Sequence, residues 1–257
     1  MYKRQNLLGY ARLEAPEEGP GAEVEAELVV APLVRRRGVG GALLDHLEQL
    51  AGDRPLRVWA HGERPGSREL ATARGYQRAR VLLQLRRPLA GVDPQPHPVL
   101  PDGVTVHAFR PGVDEEAWLA VNARAFDFHP EQGSWTRADL ELREAEPWFD
   151  PAGFFLARRG GADGALLGYH WTKVHPAGDA GPHPVGEVYV LGIDPDAQGM
   201  RLGRALTDLG LAHLLRQGLG EVMLYVEEDN LPAVSLYERS GFTRYAVDVS
   251  WRRTQRS

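Results

Sequence analysis

The stretch GEVYVLGIDPDAQGMRLGRAL, Gly186–Leu206, decides how the rest of this 257-residue chain is read. Val188, Tyr189, Val190, Leu191 and Ile193 form a β-branched and aromatic run that Asp194-Pro195 ends, so the pattern predicts a strand, a loop and then a helix. Gly192, near the strand's end, marks a place where something approaches the backbone closely. Leu202, Leu206 and Leu209, widened by Ala205 and Ala212, give the helix one apolar face. Its first turn offers unbonded N–H groups at the positive end of the dipole, which suits an anion and best a phosphate.

No Gly-Lys-Ser or Gly-Lys-Thr follows the loop, and Gly-x-Gly-x-x-Gly is absent, so a nucleoside triphosphate or dinucleotide loses weight. What Gln198-Gly199-Met200-Arg201-Leu202-Gly203 resembles is the signature of the GNAT N-acetyltransferases: Gln or Arg, two residues, Gly, one residue, then Gly or Ala. Arg201 stands where the first Gly is expected, and Arg lacks the backbone freedom that Gly supplies.

Composition narrows the function classes. A net charge of −5 argues against a nucleic-acid partner. No apolar run is long enough to span a bilayer or serve as a secretory signal. The absence of cysteine excludes disulfides, thiolate catalysis and Cys-ligated zinc, and fits a cytoplasmic protein. His170 and His175 have no metal-ligand spacing and read as structural or surface residues, so no metal is implied.

The stretch also occurs twice. Gly9-Tyr10, in a strand over 6–13, recurs as Gly168-Tyr169 in a strand over 165–174. Val24–Val30 ends at Ala31-Pro32 as the later strand ends at Asp194-Pro195, and Arg35-Arg36-Arg37-Gly38-Val39-Gly40 then carries the loop motif with its Gly intact. Val39, Leu43, Leu47 and Leu50 stripe the following helix. Leu56–Ala60 matches Val222–Val226, and Arg74-Gly75-Tyr76 matches Ser240-Gly241-Phe242, a helix end closed by Gly.

Pro88, Pro94, Pro96, Pro98 and Pro101 mark a stiff linker, which predicts an incomplete first domain over 1–90, a linker over 91–102 and a complete domain over 103–257. The second copy adds a strand over 104–109, a helix over 114–125, a short helix over 136–143 and a strand over 154–158 before the shared elements. This order implies an α/β (α+β) architecture of tandem GNAT acyltransferase folds, each with a mixed central sheet flanked by helices. The first copy begins at the equivalent of the third strand, so its sheet edge is expected to be open.

Acetyl transfer to an amine needs a base, a polarised carbonyl and a proton for the departing thiolate. Glu187 opens the strand that would lie beside the thioester and is the candidate base. Tyr237 matches the tyrosine that GNAT enzymes use as general acid. Counting back along the first copy places Val24 opposite Glu187 and Ala71 opposite Tyr237, with Arg64 in place of Asn230. The first copy thus reads as having the loop without either catalytic group.

The polar motifs carry a closer resemblance. Two GNAT copies, His129-Pro130-Glu131-Gln132-Gly133 before Trp135, Glu146-Pro147-Trp148-Phe149-Asp150, Gly186-Glu187-Val188-Tyr189-Val190, and Leu224-Tyr225-Val226-Glu227 before Asp229-Asn230 resemble the mycothiol synthase family over nearly the whole chain. That family acetylates the cysteinyl amine of cysteinyl-glucosaminyl-inositol with acetyl-CoA. The resemblance implies acceptor contacts at Glu131, Lys173, Glu187 and Tyr225. It implies acetyl-CoA contacts at Leu191, Gly192 and Ile193, at Gln198, Gly199, Met200, Arg201, Leu202, Gly203 and Arg204, and at Asn230, Leu231, Pro232, Ala233, Val234 and Ser235. A second acetyl-CoA position is implied at Leu28, Val29 and Val30 with Arg36, Arg37, Gly38, Val39, Gly40 and Gly41. The expected partner is a small molecule, with no nucleic acid or membrane, and the expected state a monomer. An acetyltransferase for another small amine and a non-catalytic acetyl-CoA binder stay open as alternatives.

Overall fold

The computed structural model describes residues 7–14, 23–127 and 129–253, without the side chains of Pro130 and Glu131. In chain order the elements are β1 (Gly9–Glu14), β2 (Val24–Val30), α1 (Val39–Ala51), β3 (Leu56–Ala60), α2 (Pro65–Ala73), β4 (Tyr76–Pro88) and β5 (Val104–Ala108). There follow α3 (Glu115–Ala125), α4 (Pro130–Gly133), α5 (Arg137–Glu144), β6 (Phe154–Arg159), β7 (Ala165–His175) and β8 (Val185–Ile193). The chain continues through α6 (Leu202–Arg216), β9 (Glu221–Glu227), α7 (Leu231–Arg239) and β10 (Thr243–Arg253). Among the described residues no helix is long and apolar enough to cross a membrane.

Helix ends follow local chemistry. Before α5, Thr136 and Asp139 form a capping box, with the Thr136 N–H donating to the Asp139 carboxylate at 2.8 Å. Pro65 starts α2, where its missing N–H costs nothing, and Gly75 at φ 74° turns the chain out of that helix.

Two compact units form. The first comprises residues 1–84, 226–231 and 244–257, and the second residues 85–225 and 232–243. These are not the consecutive segments that the Pro-rich stretch suggested. The chain's last strand, β10, pairs antiparallel with β3 from Val249↔Ala60 to Arg252↔Arg57, inside the first unit. The end of β4 belongs to the second unit, where Arg86 pairs with Glu221 at 2.8 Å and the Leu89 N–H bonds the Gly220 carbonyl at 2.9 Å. Long-range pairing of this kind leaves no mark in a local sequence window.

In the first unit β1 is an edge strand, antiparallel to β2, and β2 runs parallel to β3. The core collects Val24, Leu47, Leu56, Val58, Tyr76, Val249 and Trp251. Helix α1 buries Leu44, Leu47 and Ala51, whereas Leu50 is exposed, so the buried stripe lies one position round from the expected one. Tyr10 and Val29 are exposed on this sheet.

In the second unit β6 pairs antiparallel with β5 and β7, β8 is antiparallel to β7, and β8 is parallel to β9. Tyr169, the counterpart of Tyr10, is fully buried in an aromatic core with Trp118, Phe154 and Trp171. The Trp118 and Trp171 rings meet edge to face at 6.0 Å, and each such pair adds about 0.5–1.5 kcal/mol beyond burial. The Tyr169 hydroxyl donates to Asn122 of α3 at 2.6 Å, and Asn122 Nδ2 donates to the Gln132 carbonyl at 2.6 Å, which fixes α4. On the other face His170 packs against α6 where Gly210 leaves room, since a Cβ there would lie 2.0 Å from the His170 ring.

Candidate active site

Strand β8 sets the geometry. Its register against β7 shifts between Trp171↔Val190 and Thr172↔Val188, so Tyr189 is an extra residue without a partner, a β-bulge. Tyr189 and Val190 consequently both pack into the aromatic core. On the other side β8 pairs with β9 only at Gly186↔Val222 and Glu187↔Met223. The ladder ends at Glu187, beside the bulge, and the two strands run unpaired beyond it.

Glu187 sits at the end of that ladder and is 7% exposed. Its Oε2 accepts a hydrogen bond from His175 Nε2 at 2.7 Å. Lys173 is its cross-strand neighbour, but the ammonium lies over the Trp148 ring, 4.6 Å from the centroid, and over Tyr189 at 5.4 Å. Burial pushes the Tyr189 hydroxyl above its ordinary value, and Glu187 and Glu146 push in the same direction, while Arg143 opposes them. Lys173, His175, Glu187, Tyr189 and Trp148 thus form one polar and aromatic wall.

The loop after β8 is preorganised for an anion. Gly199 has φ 80° and Arg201 φ 61°, both left-handed, and no side chain caps α6. The first N–H groups of α6 are therefore open. Arg201 adopts the backbone conformation that a Gly would, at a strain of roughly 1–2 kcal/mol. The first copy shows the mirror arrangement of residue types: Arg36 at φ 63° matches Gly199, and Gly38 at φ 85° matches Arg201. Each loop keeps two left-handed positions and fills one of them with Arg. The α1 N-terminus is likewise without a side-chain cap, and Arg36 pairs with Glu69.

Helix α7 lies along the start of α6, because a Cβ at Gly203 would come 3.3 Å from Leu236 and Arg204 donates to the Arg239 carbonyl at 3.2 Å. Tyr237 on α7 is 7% exposed and meets Phe242 edge to face at 5.7 Å. Burial raises its hydroxyl well above the ordinary tyrosine value, so the proton stays on oxygen at neutral pH. Tyr225, two residues beyond the last β8–β9 pair, is 43% exposed. Pro232, Ala233, Val234 and Ser235 lie in the second unit, Asn230 and Leu231 in the first.

Among the expected site residues, Glu187 and Lys173 are brought opposite each other, and the Gln198–Arg204 segment follows the strand that carries Glu187. The Glu131 side chain lies outside the described residues, although its segment is anchored through Gln132. Gly192 is required for a packing reason, since a Cβ there would lie 2.7 Å from the Tyr169 ring. His175, expected to be structural or surface, is mostly buried and bonds the candidate base. The signal was its spacing: two residues after Lys173 on one strand, it points to the same face.

The counterpart of Glu187 in the first copy is Glu25, not the expected Val24. The bulge adds one residue to β8, so counting back from Ile193 and Val30 overshoots by one. Pair for pair, Gly186↔Val222 matches Val24↔Leu56, and Glu187↔Met223 matches Glu25↔Arg57. The first copy therefore has a carboxylate at this position, Glu25, with Arg57 at 3.5 Å. What it lacks is the early end to the ladder: β2 has no bulge against β1, and its pairing with β3 continues through Ala26↔Val58 and Glu27↔Trp59. Ala71 at the Tyr237 position supplies no hydroxyl.

Comparison with known proteins gives a consistent picture. The family model described as acetyltransferase (GNAT) family matches residues 1–76 and 111–242. A mycothiol acetyltransferase of Geodermatophilus obscurus is 73% identical over 249 residues, covering 97% of this chain and 79% of the relative. One from Thermomonospora curvata is 58% identical, covering 95% and 78%. Among solved structures, a GCN5-related N-acetyltransferase from Sphaerobacter thermophilus superposes with a TM-score of 0.76 at 22% identity, covering 95% of this chain and 76% of that one. A tandem GNAT protein from the clavulanic acid biosynthesis pathway gives a TM-score of 0.72 at 24% identity, covering 95% and 78%.

Proposed function

The chain belongs to the GNAT acetyltransferases and, among them, to the mycothiol acetyltransferase family, and from that premise we propose a reaction for it: transfer of the acetyl group of acetyl-CoA to the cysteinyl amine of cysteinyl-glucosaminyl-inositol, giving mycothiol and CoA. The second copy carries the chemistry. The observation that supports this is the buried Glu187 carboxylate at the point where the pairing of β8 with β9 ends, with one oxygen held by His175.

In this reading the diphosphate of acetyl-CoA rests on the N–H groups of Gly199 to Arg204, with Arg201 adding a charged donor. The acyl end enters between the unpaired stretches of β8 and β9, beside backbone groups that the bulge releases from the ladder. Those groups receive the carbonyl oxygen as charge develops on it. Glu187 takes a proton from the acceptor ammonium, directly or through one water, and the free amine attacks the thioester carbonyl. The N–C bond forms, the C–S bond breaks and Tyr237 donates its proton to the departing thiolate, while the second proton that nitrogen sheds as the amide forms returns to Tyr237 through solvent. The Lys173, Trp148 and Tyr189 wall faces the sugar and inositol hydroxyls, where Lys173 and Tyr225 supply hydrogen bonds.

The first copy would hold a phosphate at its loop and do no chemistry, because β2 and β3 stay paired where β8 and β9 do not. A panel of amines tests the acceptor. Acetyl transfer from acetyl-CoA is followed by mass spectrometry with cysteinyl-glucosaminyl-inositol, glucosaminyl-inositol, cysteine, a polyamine and an aminoglycoside. Strong preference for the first supports the proposal, and equal or better transfer to another amine overturns it.

A further inference from the structure

Resting on the reading that Glu187 is the base, we propose that His175 is its positioning residue: it pins one carboxylate oxygen so that the other faces the reacting amine. A carboxylate only accepts, so the 2.7 Å contact requires His175 Nε2 to carry the hydrogen and donate to Oε2. Among the described residues Glu187 Oε1 has no hydrogen-bond partner, and it is not among the side-chain atoms sealed from solvent without one. One oxygen is thus fixed and one is left for the proton.

The strand register explains why a holder is needed. Lys173 stands directly opposite Glu187, and a flexible ammonium there would draw the carboxylate into an ion pair that uses up the base. Two contacts keep them apart. Trp148 and Tyr189 take the Lys173 ammonium over their rings, and His175, a diagonal neighbour on the same face of β7, takes Oε2. The His175 side chain is mostly buried, which holds the ring in place. The arrangement orients a base through its partner, as second-layer donors orient catalytic groups elsewhere.

The test uses the full chain with acetyl-CoA and cysteinyl-glucosaminyl-inositol, comparing wild type, H175A, H175Q, E187Q and H175A/E187Q. In H175A kcat should fall about tenfold to a hundredfold, with KM for acetyl-CoA within about twofold, because the loss is one of orientation in the transition state. H175Q, whose amide can donate from a place near that of Nε2, should recover most of kcat. H175A should add nothing further in the E187Q background. If H175A does not fold, H175N, whose amide stops short of Oε2, takes its place against H175Q. A kcat in H175A within about twofold of wild type, or a full extra loss in the E187Q background, would overturn the positioning role while leaving Glu187 as base. Full turnover by E187Q would remove the base itself and the positioning role with it.

Discussion

Glu25 and Glu187 stand at equivalent places in two copies of one strand arrangement, Glu25 opposite Glu14 and Glu187 opposite Lys173. The carboxylate is common to both; its surroundings are not. In the second copy the Tyr189 bulge coincides with the end of β8–β9 pairing, whereas β2 runs on against β3 through Glu27↔Trp59. On this account one inserted residue separates a strand pair that can admit a thioester from one that cannot.

The proposed general acid should separate cleanly from binding. Tyr237→Phe removes a hydroxyl that burial keeps protonated and leaves the ring's edge contact with Phe242 in place. Loss of a general acid costs about 10²- to 10⁴-fold, so kcat should fall by at least about a hundredfold while acetyl-CoA binding by calorimetry is unchanged. Unchanged kcat would assign the proton to another group.

Arg201 should help the cofactor rather than crowd it. The loop tolerates Arg in a left-handed turn, as it does at Arg36 in the first copy. Arg201→Gly relieves backbone strain but removes a charge-assisted donor, so KM for acetyl-CoA should rise about fivefold to tenfold, and the difference should shrink as salt is added. A tenfold improvement would show that the Arg is a burden.

Stability should depend on the space at Gly210. An Ala there places its Cβ 2.0 Å from His170 Cε1, so the helix or the buried ring must shift. Overpacking of this kind costs about 1–3 kcal/mol, or a fall in Tm of at least about 3 °C for a chain of this size. An unchanged melting curve would mean that the His170 ring moves freely.

Burial drives the His170 imidazole down to about 4, against an ordinary 6.5, and His213 is lowered for the same first cause. The folded state binds fewer protons than the unfolded one between these values. Stability from this source is therefore complete above about pH 6.5 and is lost as pH falls toward about 4, by up to about 3 kcal/mol for His170. Tm should decline through that window, and His170→Gln should flatten the decline; an equally steep curve in the variant would contradict the assignment.

Much of this was legible because it is written locally. The repeat, the loop motif and the strand ends at Ala31-Pro32 and Asp194-Pro195 each fall within a short window, and the turn before both loops has nearly the same backbone, with φ −54° at Ala31 and −53° at Asp194. What was not legible depends on pairing. A bulge is one extra residue with no composition of its own, so Tyr189 shifted the inferred partner of Glu187 from Glu25 to Val24. His175 reaches Glu187 only through the β7–β8 register. The place of β10 beside β3 joins residues nearly two hundred positions apart. Gly192 was visible as a close approach, but the sequence could not say that the Tyr169 ring makes it.

The most direct test of the central claim is formation of N-acetylated product from acetyl-CoA and cysteinyl-glucosaminyl-inositol, followed by mass spectrometry so that the acceptor's own thiol does not interfere. Wild type and Glu25→Gln should turn over alike, while Glu187→Gln should lose at least about a hundredfold in kcat with acetyl-CoA still bound. Equal losses in both variants, or a loss in Glu25→Gln alone, would contradict the assignment of catalysis to the second copy.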